Sequence, residues 1–361
     1  MGGDWAIRIA QVAPLYESVP PKMYGGTERV VSVLTDELVR RGHDVTLFAS
    51  GDSTTLARLV PIVPNALRLS ASAKEPHAYQ MLEMGKVFEQ ASQFDVIHCH
   101  TEYFSLPFTR LVATPVVTTL HGRLDLLELQ PIFTEYRDAN LVSVSYNQRK
   151  PLPYVNWVAT VYNGIDVDSL PFERRRGDYL AFLGRISPEK GIEWAVEVAK
   201  RTGIPLKVAA KVDPADVAYY ESRVRPLLDH QLVEYIGEID QVHKGEFLRK
   251  ALALIFPIHW PEPFGLVVVE SLACGTPVIA GRFGSMPEII EHGKTGFICE
   301  SLEEMVLACG RISEISPYDC RNEVEKRFSA RVMAAEYERV YARMIAAHRP
   351  RSRAHPSRSA A

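Results

Sequence analysis

The sequence has few cysteines, and none of them is spaced for a disulfide framework or a zinc site. The five Cys residues form no C-x-x-C pair and lie at positions 99, 274, 299, 309 and 320. The amino terminus, MGGDWAIRIAQVAP, lacks a basic region followed by an apolar core, so no signal peptide is predicted. No stretch approaches ~18 uncharged apolar residues, so no membrane span is expected. These absences favour a soluble, cytoplasmic protein with free thiols.

The chain also lacks an excess of charge of either sign. Lys and Arg together number 41, Asp and Glu number 44, and the net charge is −3. This balance gives no support for binding to nucleic acid or to an anionic membrane surface. What is present is an ordinary globular composition, 47% hydrophobic over 361 residues, which is long enough for two domains.

Short apolar strands alternate with amphipathic helices along most of the chain. Residues 6–14 form a predicted strand that Pro14 ends, residues 28–41 a helix that stops at Gly42, and residues 44–50 the next strand. Units of this kind indicate parallel sheets covered by helices. Further strands are predicted at 94–100, 114–122 and 140–145, and a second series at 178–186, 206–212, 232–239, 251–258 and 276–281.

A segment rich in turn formers and charge separates the two series of strands and marks the domain boundary. We predict an N-terminal domain at 1–165, a linker at 166–177 and a C-terminal domain at 178–331. A helix at 332–348 is expected to pack back on the first domain, and residues 349–361 are expected to form a flexible tail. The predicted fold class is α/β, with two Rossmann-like, doubly wound parallel-sheet domains facing a central cleft, where such sheets bind ligands.

Two glutamates stand in a very apolar segment, WPEPFGLVVVESLACGTPVIA at 260–280. A carboxylate among Val, Leu and Phe is costly unless it is hydrogen-bonded, so Glu262 and Glu270 either reach water or bind a ligand. A helix is predicted from near Gly265 to Cys274, and its amino-terminal amides form an anion site. A phosphate together with sugar hydroxyls would satisfy amides and carboxylates. The simpler interpretation, in which Glu262 complements the helix dipole and Glu270 faces solvent, stays open at this point.

This segment and several others resemble the retaining glycosyltransferases of family 4, which carry an E-x7-E signature. Besides residues 260–280 and the following GSMPEIIEHGKTGFI, the resemblance is carried by YGGTERVV, VVTTLHG, FLGRISPEKG and an Asn-Gly-Ile-Asp linker, and it extends over nearly the full length. It implies the GT-B architecture, in which two Rossmann-like domains face a cleft and the second domain holds most of the nucleotide-sugar donor.

Two cationic residues follow the first strand of the second domain. By charge alone Arg185 and Lys190 are ordinary surface residues, but the carboxyl end of a strand favours a ligand contact. The resemblance implies that both grip the donor diphosphate, that Glu262 hydrogen-bonds sugar hydroxyls and that Glu270 holds the ribose. It further implies that backbone amides contact sugar and phosphate at Phe264, Gly265 and Leu266.

A glycine pair lies in the first domain where a loop enters a helix. Gly25 and Gly26, which follow Tyr24, let the backbone approach a ligand closely. An ordinary turn with Thr27 as the helix N-cap would use the same residues. The resemblance places the pair against the donor phosphates when the cleft closes. The sequence is not a G-x-G-x-x-G fingerprint, which argues against a dinucleotide-binding dehydrogenase.

Histidines end two predicted strands of the first domain. His121, in VVTTLHGR, stands at a strand end that faces the ligand crevice of an α/β domain, and the resemblance implies contact with the donor sugar near the reacting centre. His98 and His100 end a neighbouring strand and are candidates for the acceptor pocket. Arg123 and Asp125 are further candidates.

One acidic pair looks like a metal motif. Asp166 and Asp168 match the D-x-D motif of another large glycosyltransferase fold, yet they follow an Asn-Gly pair in the predicted linker, where turn chemistry explains them. We therefore expect no metal and no other cofactor. The diphosphate charge would be neutralised by Arg185, Lys190 and backbone amides.

With the resemblance, these residues predict a retaining, metal-independent glycosyltransferase that moves a hexose from a nucleotide-diphosphate sugar to an acceptor hydroxyl. Residues 17–53 and FPIHWPEPFGL also look like a bacterial subgroup labelled as pteridine (tetrahydrobiopterin) glucosyltransferases, which implies UDP-glucose as the donor. His259 stands where that subgroup is expected to have Asp. A sugar-nucleotide epimerase of the same fold and a non-catalytic sugar-nucleotide sensor are the alternatives.

The acceptor is expected to contact the first domain at residues 17–24 and 123–133. It could be a small molecule, a glycan or a lipid, and a lipid acceptor would bring the protein to a membrane surface. The donor base is expected to border the loop after LVEYIGEID through backbone contacts.

Overall fold

The computed structural model describes residues 6–23, 25–69 and 75–348. Tyr24 and the predicted flexible tail at 349–361 lie outside the described residues. Over the described ranges, no helix combines the length and the apolar character needed to cross a lipid bilayer.

The first half of the chain folds around a parallel sheet. Its strands are β1 (Arg8–Val12), β2 (Asp44–Ser50), β3 (Arg58–Val63), β4 (Val96–Cys99), β5 (Val116–Leu120), β6 (Leu141–Ser143) and β7 (Trp157–Thr160). Its helices are α1 (Gly26–Arg40), α2 (Pro76–Glu89) and α3 (Gln130–Glu135). In the part of the chain that the structure describes, this is a 7-stranded sheet with the order β3-β2-β1-β4-β5-β6-β7.

The second half forms another parallel sheet. Its strands are β8 (Leu180–Arg185), β9 (Leu206–Lys211), β10 (Val233–Gly237), β11 (Ala253–Phe256), β12 (Val278–Gly281) and β13 (Gly296–Cys299). Its helices are α4 (Ile192–Thr202), α5 (Val217–Tyr219), α6 (Arg225–Leu228), α7 (Gln241–Arg249), α8 (Leu266–Ala273), α9 (Met286–Ile289), α10 (Leu302–Arg311) and α11 (Pro317–Arg327). Among the described residues the 6-stranded order is β10-β9-β8-β11-β12-β13, the doubly wound order of a Rossmann sheet.

The predicted α/β class with two doubly wound parallel sheets is confirmed, and every predicted strand is present. Three strands were not predicted: β3, β7 and β13. β3 contains Pro61 and lies at the edge of its sheet, where a missing backbone donor is tolerated. β7 and β13 have four residues each, too few to show a clear period.

Glycine ends two of the predicted helices as expected. Gly42 follows α1 with a φ of 92°, and Gly275 follows α8 with a φ of 84°. Both angles lie in the left-handed region that a residue with a Cβ atom adopts only at a cost, so these helices stop where the sequence places glycine.

The helix α12 (Ala330–His348) returns to the first sheet. Tyr337 and Tyr341 are fully buried in the apolar core on one side of that sheet. The chain passes between the two halves once before β8 and once before α12. The two passages touch each other, since Ile165 and Ser329 form a parallel bridge.

Candidate active site

A cleft of about 1150 Å³ lies between the two halves of the molecule. Arg185, the last residue of β8, lines it at the point where the strand order of the second sheet reverses. Open α/β sheets bind their ligands at such points. All ten residues predicted for the site line this one cleft: Gly25, Gly26, His121, Arg185, Lys190, Glu262, Phe264, Gly265, Leu266 and Glu270.

The amino terminus of α8 is fixed by its neighbours. Gly265 is the N-cap residue with a φ of 84°, and a Cβ atom there would lie 2.9 Å from Cε of Met286. Phe264 is buried and packs against the ring of Phe328, with ring centroids 5.9 Å apart. The first N–H groups of a helix have no partner within it, so those of α8 are held in place at the cleft for an anion.

The helix α1 of the first domain begins on the opposite side of the same cleft. Its N-cap is Gly25 and its first residue is Gly26, so Thr27 is not the N-cap. A Cβ atom on Gly26 would lie 3.5 Å from Cδ1 of Leu266, which starts α8. Two helix amino termini, each carrying about half a positive charge, therefore approach each other from the two domains.

Glu262 is paired with Lys190. The Lys190 ammonium donates a hydrogen bond to Oε2 of Glu262, which also accepts one from Nε1 of Trp260 at 3.0 Å. Nζ of Lys190 lies 5.2 Å and 5.5 Å from the ring centroids of Trp260 and Phe256. These contacts hold the carboxylate and the ammonium at fixed places in the cleft.

Glu270 is paired with a residue that the sequence did not single out. Lys244, near the start of α7, donates to Oε1 of Glu270 at 2.5 Å, and Glu270 is only 3% exposed. The interpretation in which Glu270 faces solvent is therefore wrong. Burial lowers the pKa of Lys244, while the charge of Glu270 opposes that shift. Lys244 was not predicted as a site residue because a lysine in an amphipathic helix is normally exposed on the surface.

Arg185 lies among three carboxylates of the second domain. Its guanidinium is 2.8 Å from Glu189, 3.4 Å from Asp216 and 3.6 Å from Asp213. Glu189 follows one turn later in the same loop, and the two aspartates follow β9. The side chain is about a third exposed, so it remains accessible from the cleft.

His121 is held at both its main chain and its ring. Its backbone N–H and that of Gly122 donate to one carboxylate oxygen of Glu102, each at 2.9 Å. Its Nε2 lies 2.9 Å from Nδ1 of His100. Burial lowers the pKa of His121 to about 3, so the imidazole is neutral and takes part only as a hydrogen-bonding group. Glu102 has a φ of 51°, unusual for a residue other than glycine.

The prediction that His98 and His100 line the acceptor pocket is wrong. Both are fully buried behind His121. His100 Nε2 lies 2.9 Å from Oε1 of Gln11, and His98 Nδ1 lies 2.7 Å from the Tyr341 hydroxyl on α12. Their strand is central in the sheet and covered by α12, so side chains that point along its faces are enclosed.

The remaining candidates lie outside the cleft lining. Arg123 and Asp125 pair with each other at 2.7 Å, and the Arg123 guanidinium lies 5.7 Å from the ring centroid of Trp260. The Asp168 side chain is 81% exposed and lies 3.6 Å from Arg331. Across the residues that the structure describes, no group of three or more His, Cys, Asp or Glu is arranged to hold a metal ion.

Each half of the chain matches a known protein family. Residues 24–169 match the family described as Glycosyltransferase Family 4, and residues 171–314 match the family described as Glycosyl transferases group 1. The two matches meet near the linker and together cover most of the sequence.

Relatives and solved structures agree with these matches. A glycogen synthase of Mycobacterium tuberculosis is 27% identical and aligns over 81% of this chain and 82% of its own length. The structure of AviGT4, a glycosyltransferase involved in avilamycin A biosynthesis, superposes with a TM-score of 0.72 at 22% identity, over 94% of this chain and 98% of its own. The structure of Anabaena HepE in complex with UDP and glucose superposes with a TM-score of 0.72 at 17% identity, over 93% of this chain and 100% of its own.

Proposed function

Because this chain is a glycosyltransferase with the GT-B fold, we propose that it transfers a hexose from a nucleotide-diphosphate sugar to an acceptor hydroxyl, with retention of configuration and without a metal ion. One observation carries the proposal. The cations Arg185 and Lys190, two helix amino termini and the carboxylates of Glu262 and Glu270 all face one cleft.

Each group has a chemical task in this proposal. Arg185 binds the diphosphate through its planar fork, and Lys190 adds a compact charge beside it. Glu262 accepts hydrogen bonds from hydroxyls of the transferred sugar, and Glu270 accepts them from the ribose. Since a lysine already fixes each carboxylate, neither side chain has to be ordered at the moment of binding.

Bond breaking is assisted by fixed positive charge. As the bond between the sugar and the diphosphate lengthens, negative charge grows on the leaving oxygen and an oxocarbenium-like sugar develops. Arg185, Lys190 and the amides at Gly265 and Leu266 stabilise the leaving oxygen. The acceptor hydroxyl attacks from the face that the phosphate leaves, and the departing phosphate takes its proton. His121, neutral and held by two partners, orients the sugar by hydrogen bonding.

For the donor we propose UDP-glucose. Solved structures of HepE contain UDP, or UDP-glucose, and they share this fold. The sequence likeness to glucosyltransferases that act on pteridines supports glucose as the sugar. A small molecule, a glycan or a lipid with a free hydroxyl is the acceptor class, and a lipid would place the protein at a membrane surface.

The proposal is tested by ligand binding followed by product analysis. Thermal unfolding of the full chain with UDP-, GDP- and ADP-glucose should show the largest rise in Tm for UDP-glucose, because a ligand that binds only the folded state stabilises it. The anomeric configuration of the product, read by NMR, should match that of the donor. Conversion of the donor without an acceptor would indicate an epimerase, and binding without any turnover would indicate a sensor.

A further inference from the structure

Three cations converge on the carboxylate of Asp213 inside the cleft. Nζ of Lys211 lies 2.5 Å from Oδ1, Nη1 of Arg185 lies 3.6 Å from Oδ2, and Nη2 of Arg68 lies 3.8 Å from Oδ1. All four residues line the cleft. Lys211 and Arg185 belong to the second domain, whereas Arg68 belongs to the first, so the group spans the space between the domains.

Arg68 is held in place by hydrogen bonds within its own domain. It lies in a short 3₁₀ turn at Leu67–Leu69 after β3, where its backbone N–H donates to the carbonyl of Tyr16 at 3.0 Å. Nη1 donates to Oε1 of Glu17 at 2.5 Å. One side of the guanidinium is thus fixed to its own domain, and the other side is presented to Asp213 across the cleft.

A phosphate cannot bind beside Asp213 while the Asp213 carboxylate stays in its present position. Arg185 and Lys211 already pair with acidic groups, and a phosphate brought next to the Asp213 carboxylate would be repelled by it. Asp213 is about a quarter exposed and lies in the loop between β9 and α5, so its side chain is not enclosed by packing. The cations that it releases are of the type that bind phosphate oxygens strongly.

We propose that Arg68 is a further phosphate-binding residue of the donor site, contributed by the first domain, and that the Asp213 carboxylate occupies the position which a phosphate group of the donor takes on binding. This rests on the proposed function. The diphosphate replaces Asp213 between Arg68 and Arg185, and it thereby links the two domains directly. Closure of the cleft and binding of the diphosphate are then one event.

Two substitutions with opposite expected effects test this inference. Calorimetric titration of UDP and of inorganic pyrophosphate into the full chain should show roughly tenfold weaker binding for Arg68→Met, the scale of losing one charge-assisted hydrogen bond. Arg68→Lys should recover part of that loss. Asp213→Asn should bind both probes several-fold more tightly than the unaltered protein, because the competing charge is gone while the shape is kept.

Arg8→Met provides the matched control. Arg8 is also a first-domain arginine in an ion pair, with Asp95 at 2.9 Å, but it begins β1 at the end of the sheet away from the cleft. Its substitution should leave binding of both probes unchanged. Melting temperatures of all variants would show that they are folded.

The outcomes separate this inference from the function on which it rests. If the unaltered protein binds UDP but Arg68→Met binds it equally well, or Asp213→Asn weakens binding, then Arg68 and Asp213 do not act as proposed. If the unaltered protein binds neither a nucleotide diphosphate nor pyrophosphate, the proposed function itself fails.

Discussion

At the scale of single residues, the cleft is built from charged side chains that already have partners. Lys190 pairs with Glu262, Lys244 pairs with Glu270, and Arg185 lies among acidic groups of its own domain. The pairs with Lys190 and Lys244 keep largely buried charges at fixed places, which unpaired side chains in such surroundings would not do. A ligand with both a diphosphate and hydroxyl groups can engage the two signs of charge at once.

The cationic groups should matter most for turnover. Arg185→Ala and Lys190→Ala are each expected to lower kcat by about 10²–10³, the usual scale for removing one group that stabilises developing charge. Steady-state kinetics with UDP-glucose and an accepted hydroxyl compound would measure this. Near-normal turnover in both variants would refute the assignment of these residues to the diphosphate. Arg201→Met, which removes an exposed arginine far along α4, should retain full activity.

Glu102 should connect stability to pH. Burial raises the pKa of Glu102 to about 7, although two backbone N–H groups oppose the shift. The folded state therefore binds a proton that the unfolded state has lost between about pH 4.5 and 7, and stability falls as the pH rises through this window.

In Glu102→Gln, the Tm should fall less steeply between about pH 4.5 and pH 7, the range of this titration. The amide oxygen can still accept from His121 and Gly122, so activity at neutral pH should persist, whereas Glu102→Ala should lose both contacts and activity. Burial also raises the pKa of Glu28 to about 7, so part of the slope remains in every variant. Identical pH profiles for Glu102→Gln and the unaltered protein would contradict this role.

At the scale of secondary structure, helices tie distant parts of the chain to the cleft. α7 brings Lys244 to α8, and α12 carries Tyr337 and Tyr341 into the core of the first sheet. The Tyr341 hydroxyl is hydrogen-bonded to His98, and the ring of His98 packs against that of His100. His100 in turn is hydrogen-bonded to His121, which lines the cleft. The helix α12 therefore supports His121 from behind, although it follows the second domain in sequence.

The contact between α7 and α8 can be tested by breaking the ion pair. Lys244→Met leaves the carboxylate of Glu270 buried without its partner and should destabilise the protein by about 3–5 kcal/mol. Adding Glu270→Gln should restore most of that loss, because no buried charge then remains. Denaturant unfolding of the single and double variants would measure both effects. If Lys244→Met and the double variant were equally stable, the unpaired carboxylate of Glu270 would not be the cause of the loss.

At the scale of the whole molecule, the two sheets face each other so that loops from both converge on one space. Helix amino termini and cations of both domains surround it, and the described residues contain no group of His, Cys, Asp or Glu suited to a metal ion. Both domains therefore contribute positive charge to the space in which we propose that the diphosphate binds.

Removal of metal ions should leave activity unchanged. In the presence of excess EDTA, kcat and KM for the donor should stay at their original values, because in the proposed mechanism Arg185, Lys190 and the helix termini neutralise the leaving diphosphate. Rates before and after chelation, and after adding Mg²⁺ or Mn²⁺, would check this. Loss of activity with EDTA that Mg²⁺ restores would show that the diphosphate needs a cation which the protein does not supply.

The fold class and the place of the cleft could be predicted from the sequence, because hydrophobic periodicity and glycine stops are local properties of the chain. Strand ends followed by Arg185 or His121 identify the side on which ligands bind, whatever the details of packing. Short or edge strands such as β3 and β7 escaped prediction, since four to six residues carry little periodic signal.

Only the tertiary structure decided which charges meet. Lys190 and Glu262 are 72 positions apart, and Arg68 and Asp213 lie on different domains. Burial also depends on packing. His98 and His121 both lie near the ends of predicted strands, yet of the two only His121 reaches the cleft, because α12 covers His98. Local sequence specifies the conformation of each segment, whereas pairing and enclosure depend on how distant segments pack.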